Sequence, residues 1–305
     1  MNNPKCPICD NEQFKIIGKP QIPPVIRTLI KEDYMVLRCK ACHFYYVSPP
    51  IMFSNAEWAK LYNETYFGKL TKWWARQRER DWKNRLNRLE ISAKRKITNF
   101  LDVGCGEGYV LLEAAERGWK AHGVDISDNR GGFARREDVS FIQGDIFEAR
   151  FPDNFFDCVY VDSVLEHVAD PIAFLNELNR IIKNGGVLYI GVPNEDALFN
   201  DIKKFLYFIW GKRSISSRLK PFVSPFHTNG FTKKSLLAAA LRANFKAVQF
   251  RNFAGQYEFL KFKIFSGPFL INVLLLPLHL IAILVRRQIY LDILRKGDIL
   301  PSSAP

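Results

Sequence analysis

The sequence predicts an α/β fold, a doubly wound parallel sheet with helices on both faces. Three observations predict it. After residue 96, short apolar segments alternate with helical ones. The first apolar segment precedes three closely spaced glycines, and the second ends on an aspartate. The chain has 305 residues, of which 48% are hydrophobic and 25% charged. This composition excludes a disordered or collagen-like protein and allows one catalytic domain with a small accessory module.

Each predicted strand is a short apolar segment bounded by turn or helix residues. The strands are residues 100–103, 121–125, 139–143, 157–161 and 187–192, followed by two near 246–253 and 256–265 that close the sheet. The helices are residues 108–118, 171–183 and 232–243. These elements define a domain at 96–265 with a long insertion at 194–230. The insertion joins the pair Lys203 and Lys204 to an apolar run at 205–210, and insertions of this length usually carry function.

Four of the six cysteines form two Cys-x-x-Cys pairs within the first 50 residues. Two such pairs supply four thiolates, the ligand set of a tetrahedral zinc ion with no open coordination position. We therefore expect a structural Zn²⁺ in a zinc ribbon at 1–50. Its ligands are Cys6, Cys9, Cys39 and Cys42. Residues 1–30 lack the apolar core of a secretory signal, so we expect a cytoplasmic protein with reduced thiols.

A basic helix is predicted at about 71–95, in a helical linker at 51–95. Its apolar stripe is Trp82, Leu86, Leu89 and Ala93, at helical spacing. Its other faces carry Arg76, Arg80, Lys83, Arg85 and Arg88. We expect the stripe to pack on the core and the basic residues to face solvent.

The formal net charge of +13 is unevenly distributed along the chain. Residues 1–95 carry a net +9, residues 96–195 a net −8 and residues 196–305 a net +12. An acidic centre suits a ligand with a positive charge, whereas basic flanks suit an anionic partner such as a membrane surface or nucleic acid.

The segment Leu101–Gly108 is the most informative for function. Its glycines at 104, 106 and 108 let the backbone turn sharply at the carboxyl end of a strand, where ligands of open α/β sheets bind. Asp125 ends the next strand, where a carboxylate can hold ribose hydroxyls. Asp102 and Glu107 would repel a pyrophosphate, so the loop favours a cofactor without phosphates and with a positive centre.

Several segments resemble, in order, the motifs of class I S-adenosylmethionine-dependent methyltransferases. They are Leu101–Gly108, Asp125, residues 144–146 and residues 162–167. The resemblance covers about 96–260 and implies a Rossmann-like sheet of seven strands, one antiparallel. It implies S-adenosylmethionine (SAM) as cofactor, with the glycines around its methionyl end, Asp125 on the ribose and Asp145 with Ile146 at the adenine. The cofactor residues implied are Asp102, Gly104, Cys105, Gly106, Gly108, Asp125, Ile126, Asp145, Ile146 and Asp162.

The amino-terminal module carries a second resemblance. The cysteine pairs, residues 42–50 and residues 61–67 resemble the zinc-ribbon subgroup of these enzymes. That subgroup includes C-methyltransferases of nucleotide-linked keto sugars and relatives in surface-polysaccharide clusters. In the sugar enzymes a Glu-His pair supplies the base. Here His227 is present but Phe226 replaces the glutamate, which points away from C-methylation of a keto sugar.

Methyl transfer to a hydroxyl needs the acceptor held in line with the methyl group and a base for its proton. His227 is the first candidate base, because imidazole titrates near neutrality, and His167 is the second. Tyr66 is a candidate to line the acceptor pocket. A structural role stays open for both histidines; His167 with Glu166 would then orient the loop over the cofactor.

Residues 269–285 form an apolar run of 17 residues, the lower limit for crossing a bilayer, and Arg286 and Arg287 follow it. Three residues in the run make full insertion costly: Asn272, Pro277 and His279. We expect an apolar helix lying in the membrane interface, in a carboxyl-terminal segment at 266–305, with the arginines at anionic headgroups. A core or dimerisation helix is the alternative.

Three functions follow from these observations. The first is a methyltransferase acting on a saccharide or lipid-linked intermediate, peripheral on the inner face of the membrane. The second is an RNA methyltransferase whose basic flanks and zinc ribbon hold phosphates. The third is a methyltransferase-like scaffold without catalysis. The apolar run speaks against the second, and the intact glycine loop with Asp125 speaks against the third.

Overall fold

The computed structural model describes most of the predicted catalytic domain and the cysteine module. The described residues are 4–24, 30, 32–51, 53–54, 57, 72–93, 95–212, 214–223, 226–253, 276–278, 280–286 and 290–296. The predicted strand at 256–265 falls wholly outside them.

Within the described chain the main sheet has seven strands: β4 (Asn99–Val103), β5 (Lys120–Asp125), β6 (Val139–Gln143), β7 (Phe156–Asp162), β8 (Ile182–Pro193), β10 (Lys246–Phe253) and β11 (Tyr290–Lys296). Their order across the sheet is β10-β11-β8-β7-β4-β5-β6. The central strands run parallel, whereas β11 is antiparallel to both of its neighbours. The structure therefore confirms the predicted Rossmann-like α/β fold.

The seventh strand comes from a part of the sequence that we assigned to the carboxyl-terminal helix and tail. Residues 290–296 pair with residues 187–193 on one side and residues 246–253 on the other. Each neighbouring strand needs a partner for its backbone N–H and C=O groups, and this short segment supplies both ladders. The catalytic domain thus extends beyond residue 265.

The helices that flank the two sheets include α1 (Lys72–Ala93), α2 (Tyr109–Glu116), α3 (Pro171–Ile181), α4 (Leu198–Ile209) and α5 (Lys233–Arg242). Two of them begin on a side-chain cap. Asp170 accepts the backbone N–H groups of residues 172 and 173, and Thr232 forms a reciprocal capping box with Ser235.

The core forms two layers because alternate residues of the central strands point to opposite faces of the sheet. In β7, Val159 and Val161 pack in the layer with α3 and α5. Cys158 and Tyr160 pack in the layer with α1 and α2. The stripe predicted for the basic helix is confirmed: Trp82, Leu86, Leu89 and Ala93 are all buried.

The amino-terminal module is a small antiparallel sheet that is continuous with the catalytic domain. Its strands are β1 (Phe14–Gly18), β2 (Met35–Cys39) and β3 (Tyr45–Ser48), and β3 also pairs with the short strand β9 (Asn229–Gly230). The ring of Phe44 packs on that of Phe231 with centroids 4.9 Å apart. The module thus shares a sheet and a core with the larger domain.

The predicted apolar helix at 269–285 lies partly outside the described residues. Residues 276–278 and 280–284 are helical, and the exposed side chains among them include Leu280, Ile281 and Leu284. No helix in the described ranges is both long and apolar enough to span a bilayer.

Candidate active site

The glycine loop after β4 forms a tight turn at the carboxyl edge of the sheet. Gly104, Gly106 and Gly108 have φ values of 71°, 50° and 83°, a region in which side chains with a Cβ are strained. A Cβ on Gly104 would overlap the Cγ2 atom of Val164. A Cβ on Gly108 would lie 2.6 Å from the Cβ of Ala134. The loop therefore requires glycine for both its conformation and its close packing.

Asp125, at the end of β5, is bonded to this loop. Its Oδ2 accepts a hydrogen bond from the backbone N–H of Gly106 at 2.9 Å, and its Oδ1 accepts one from that of Ser127 at 3.2 Å. Burial raises the pKa of Asp125, while these backbone donors oppose the shift. The structure thus brings together the glycine loop and the carboxylate that the sequence assigned to the ribose.

Three carboxyl groups lie at the same edge: Asp102, Asp125 and Asp162. Asp102 is 3% exposed, and its pKa is raised well above the usual value, first by burial and then by the charges of Asp162 and Asp125. Repulsion among acidic groups in a buried site is relieved by a cation. The site therefore fits a cofactor that carries a sulfonium and an ammonium group, as SAM does.

Arg85 also reaches this edge, which corrects the sequence prediction that it faces solvent. Its guanidinium donates to Asp162 and, at 2.9 Å, to the hydroxyl of Tyr160. The side chains of Arg85 and Asp162 are each 14% exposed. The ring of Tyr160 stacks on that of Tyr189 with centroids 4.7 Å apart. Arg85 precedes the buried Leu89 by one helical turn, a spacing that could have revealed its inward direction.

The remaining predicted cofactor residues divide into loop and core positions. Asp145 accepts the backbone N–H groups of Phe147 and Glu148 after β6, at 2.9 and 2.8 Å. The carbonyl of Ile126 accepts from Gln143 Nε2 at 3.4 Å. Cys105 and Ile146 are buried, at 8% and 2% exposure. The last two thus support the pocket through packing, and their contact with a cofactor stays a prediction.

A second cluster of titratable side chains follows β7. One donor atom from each of Glu166, His167 and His227 lies within 4.8 Å of the other two. Glu166 Oε1 is 3.7 Å from His227 Nε2 and 4.0 Å from His167 Nε2. The Nδ1–H group of His167 donates to the carbonyl of Phe226 at 3.3 Å. Both candidate bases thus meet at one carboxyl group, although 60 residues separate them in the sequence.

Burial governs the protonation of this cluster. Glu166 is 1% exposed, and its two carboxyl oxygens have no hydrogen-bond partner among the described residues. Burial raises the pKa of Glu166 to about 8 and lowers those of His167 and His227 to about 4 and about 3. At neutral pH the carboxyl is therefore mostly protonated and the imidazoles are neutral. Carboxylate and imidazole donors at these separations could also hold a divalent metal ion.

The four cysteines of the amino-terminal module form the expected cluster. The Sγ atoms of Cys6 and Cys42 are 3.5 Å apart, and those of Cys9 and Cys39 are 3.6 Å apart. All four Sγ atoms lie within 4.8 Å of one another, and none of these cysteines forms a disulfide. A tetrahedron of thiolates around Zn²⁺ has edges of about 3.8 Å. The donor set and its spacing thus fit a structural zinc ion.

The cysteine cluster supports the segment that carries His227. β3, which follows Cys42, pairs with β9, which follows His227. The backbone N–H groups of Thr228 and Asn229 both donate to the carbonyl of Glu166 at 2.9 Å. The His227 segment is therefore held between the module and the acidic residue of the cluster. Tyr66, the third predicted acceptor-site residue, lies outside the described residues.

Comparison with known proteins agrees with this geometry. Residues 74–250 match a family described as "Methyltransferase domain". A 37.1 kDa protein of a Streptomyces fradiae transposon is 37% identical over 109 residues, covering 33% of this chain and 32% of that protein. Demethylmenaquinone methyltransferase of Listeria welshimeri is 31% identical over 140 residues, covering 41% and 59%. The matched part thus spans less than two thirds of either relative.

Solved structures share the fold at low sequence identity. The 1,6-didemethyltoxoflavin-N1-methyltransferase of Burkholderia thailandensis, with bound S-adenosylhomocysteine, has a TM-score of 0.53 and 14% identity; the match covers 92% of this chain and all of that one. Geranyl diphosphate C-methyltransferase of Streptomyces coelicolor has a TM-score of 0.51 and 14% identity, covering 70% and 79%. Because the family match covers more than half of the chain, the protein belongs to the family of SAM-dependent methyltransferase domains.

Proposed function

We propose that the protein transfers the methyl group of SAM to a hydroxyl group of a saccharide or lipid-linked intermediate, at the inner surface of a membrane. The buried cluster of Glu166, His167 and His227 is the observation that supports a hydroxyl group as the acceptor. A hydroxyl must lose its proton when its oxygen is methylated, and this cluster can take that proton.

The glycine loop and its carboxylates would hold the cofactor. Asp125 would accept hydrogen bonds from the ribose, and the backbone around Gly104 and Gly106 would enclose the methionyl end. Asp102 and Asp162 would lie near its positive groups. When bound, SAM supplies a methyl carbon whose bond to sulfur breaks as its bond to the acceptor oxygen forms.

The proton acceptor in this proposal is His227, and Glu166 sets its strength. With Glu166 protonated, His227 is a weak base because burial lowers its pKa to about 3. Ionisation of Glu166 places a negative charge 3.7 Å from His227 Nε2 and strengthens that base. The acceptor proton then moves to His227 and is stabilised by the neighbouring carboxylate. His167 shares the carboxylate and holds the segment at Phe226.

A buried polar group beside this segment supports a saccharide as part of the acceptor. Glu195, after β8, is 7% exposed, and its Oε2 has no hydrogen-bond partner among the described residues. Its side chain packs against the backbone of Gly230, where a Cβ would lie 2.6 Å from Glu195 Cγ. Burial raises the pKa of Glu195, and the positive charges of Arg218 and Lys203 oppose that rise. We infer that Glu195 accepts hydrogen bonds from saccharide hydroxyls, a role that the sequence did not reveal.

The acceptor class can be tested with SAM labelled in its methyl group. The protein is incubated with lipid-extractable, saccharide and RNA fractions of a cell extract, and label is counted in each. We expect label in the lipid-extractable or saccharide fraction. We also expect the labelled methyl group to survive mild alkali, because a methyl ether resists hydrolysis and a methyl ester does not. Label confined to RNA, or label released by alkali, would overturn the proposal.

Site variants connect this activity to the structure. Glu195→Gln is expected to raise KM for the acceptor while kcat changes little, because the residue binds a group that does not react. Glu166→Gln is expected to lower kcat, because the carboxylate strengthens the base. If both variants methylate like the wild type, the acceptor lies elsewhere.

A further inference from the structure

Helix α4, in the long insertion, has its polar side turned toward the protein. Asn200 Nδ2 donates to the carbonyls of Asn194 and Glu195 at 3.2 and 3.3 Å. Asp201 forms an ion pair with Arg218, whose side chain is 7% exposed. The hydrogen bonds of α4 with the rest of the chain thus come from the side that a surface helix usually presents to water.

The apolar side of α4 faces outward. No residue of this helix is buried. The exposed apolar residues, with their exposed fractions, are Phe199 (49%), Phe205 (62%), Leu206 (37%), Phe208 (54%), Ile209 (59%) and Trp210 (62%). Residues four apart, such as Phe205 and Ile209, lie on one side of a helix and form a continuous apolar surface. A contiguous surface of this kind marks a site of contact with something outside the chain.

The charge around this surface identifies what it contacts. Lys204 and Lys212 are exposed at its border. Residues 196–305 carry 17 Lys+Arg against 5 Asp+Glu. A second copy of the chain would bring the same positive charge to the surface, whereas anionic headgroups would neutralise it. Trp210 at the end of the helix combines an apolar ring with an N–H donor, a combination suited to the boundary between headgroups and acyl chains.

We propose that α4 lies in the surface of an anionic bilayer, with its apolar side among the acyl chains and Lys204 and Lys212 at the headgroups. This assigns the membrane contact to a helix other than the 269–285 segment that the sequence indicated. The exposed apolar residues at 280–285 add a second surface of the same character. The inference rests on the proposed function, because a lipid-linked acceptor is found at a bilayer. It adds which helix of the protein contacts that bilayer.

The test is flotation of the full chain with lipid vesicles, in the absence of cofactor and acceptor. One set of vesicles is phosphatidylcholine, and the other contains equal parts of phosphatidylcholine and phosphatidylglycerol. Wild-type protein is expected to float with the anionic set and much less with the neutral one. The double variant Phe205→Glu/Ile209→Glu is expected to bind anionic vesicles at least about tenfold more weakly, because two charges replace inserted side chains.

Leu241→Glu is the matched control, because Leu241 is 73% exposed on helix α5 and lies outside the proposed surface. It is expected to bind vesicles like the wild type. The inference would be overturned if the control lost as much vesicle binding as the double variant, or if the wild type did not bind the vesicles. It would also be overturned if the wild type were a dimer in solution that the double variant, but not the control, disrupts. A cofactor titration on the same variants shows that they are folded. It also tests the methyltransferase site separately, so that failure of the membrane inference is distinguishable from failure of the proposed function.

Discussion

The guanidinium of Arg85, in the helix before the sheet, forms an ion pair with Asp162, at the carboxyl end of β7. Both side chains are mostly buried, and Arg85 also donates to Tyr160. This pair connects α1 to the edge where the glycine loop lies. Removal of one partner would leave the other charge buried without compensation, a situation that destabilises proteins strongly.

Arg85→Met is therefore expected to lower the free energy of unfolding by about 3–5 kcal/mol. Arg136→Met is the control, because Arg136 forms an ion pair with Asp138 in which both side chains are exposed. Its expected cost is below about 1 kcal/mol. Urea unfolding measures both, and addition of Asp162→Asn to the Arg85 variant should recover part of the loss. Equal costs for the two arginine variants would contradict the buried pair.

The glycine loop gives a second prediction with a close internal control. Gly104→Ala places a methyl group against Val164 and strains a backbone at φ 71°. Gly118→Ala strains a similar backbone, at φ 76°, but its added methyl group meets no atom within 4 Å. The first variant is expected to bind S-adenosylhomocysteine at least about tenfold more weakly, and the second like the wild type. Calorimetric titration measures both, and equal affinities would show that the loop does not enclose the cofactor.

The pH dependence of methylation tests the roles of Glu166 and His227. Because burial raises the pKa of Glu166 to about 8, the carboxylate that strengthens His227 forms as the pH rises through that value. The rate of methyl transfer is expected to rise with pH through about pH 8 in the wild type. In Glu166→Gln the rate should be lower and this rise should be absent. If Glu166→Gln keeps the pH profile of the wild type, Glu166 takes no part in the mechanism.

The same carboxyl group predicts how stability depends on pH. Its folded-state pKa of about 8 lies above the ordinary value of 4.5, so the folded state binds the proton more tightly. The contribution of Glu166 to stability is therefore full below about pH 4.5 and is lost as the pH rises toward 8. His167 and His227 act oppositely, because their lowered pKa values destabilise the fold below about pH 6.5.

Unfolding of wild type and Glu166→Gln by urea between about pH 5 and pH 8 isolates the carboxyl contribution. The difference in unfolding free energy between the two should change steadily in favour of the variant as the pH rises. A constant difference would show that Glu166 has an ordinary pKa.

Metal analysis tests the cysteine cluster. One equivalent of zinc per chain is expected, and Cys39→Ser should lose it. Methylation should fall with it, because β3 positions the segment that carries His227. Cys158→Ala is the control, since Cys158 is buried in the main sheet, away from this cluster. If the wild type holds a second equivalent of metal and Glu166→Gln does not, a metal ion lies at the histidine cluster. That result would contradict the role of His227 as the base.

The site divides into a part that the sequence predicts and a part that it does not. The glycine loop and Asp125 are predictable because each follows a strand, and the ends of parallel strands meet at one edge. The ion pair of Arg85 with Asp162 is not, because 77 residues separate its partners and six other basic residues share the helix. The meeting of Glu166 with His227 depends equally on tertiary structure.

The closing strand of the sheet shows the same limit. Residues 290–296 follow the apolar run at 269–285 after four residues and include three charged side chains, so their pattern does not indicate a strand and the sequence prediction places them in the segment at 266–305. Their assignment as β11 depends on two neighbouring strands with unpaired backbone groups, which local patterns do not record. The orientation of α4, with its apolar side outward, is also a tertiary property, because the sequence of a helix does not show which of its two faces packs on the protein.

Calorimetric titration of SAM into the wild type and Asp125→Ala shows whether the glycine loop and Asp125 form the cofactor site. Asp125 bonds the glycine loop at Gly106, so its loss removes both the support of the loop and the predicted partner of the ribose. The wild type is expected to bind one equivalent of SAM, and the variant at least about tenfold more weakly. Asp138→Asn, a change in an exposed pair with Arg136 at the start of β6, should bind like the wild type. Wild-type protein that binds no SAM, or equal affinity in the Asp125 variant, would show that this edge of the sheet is not the SAM site.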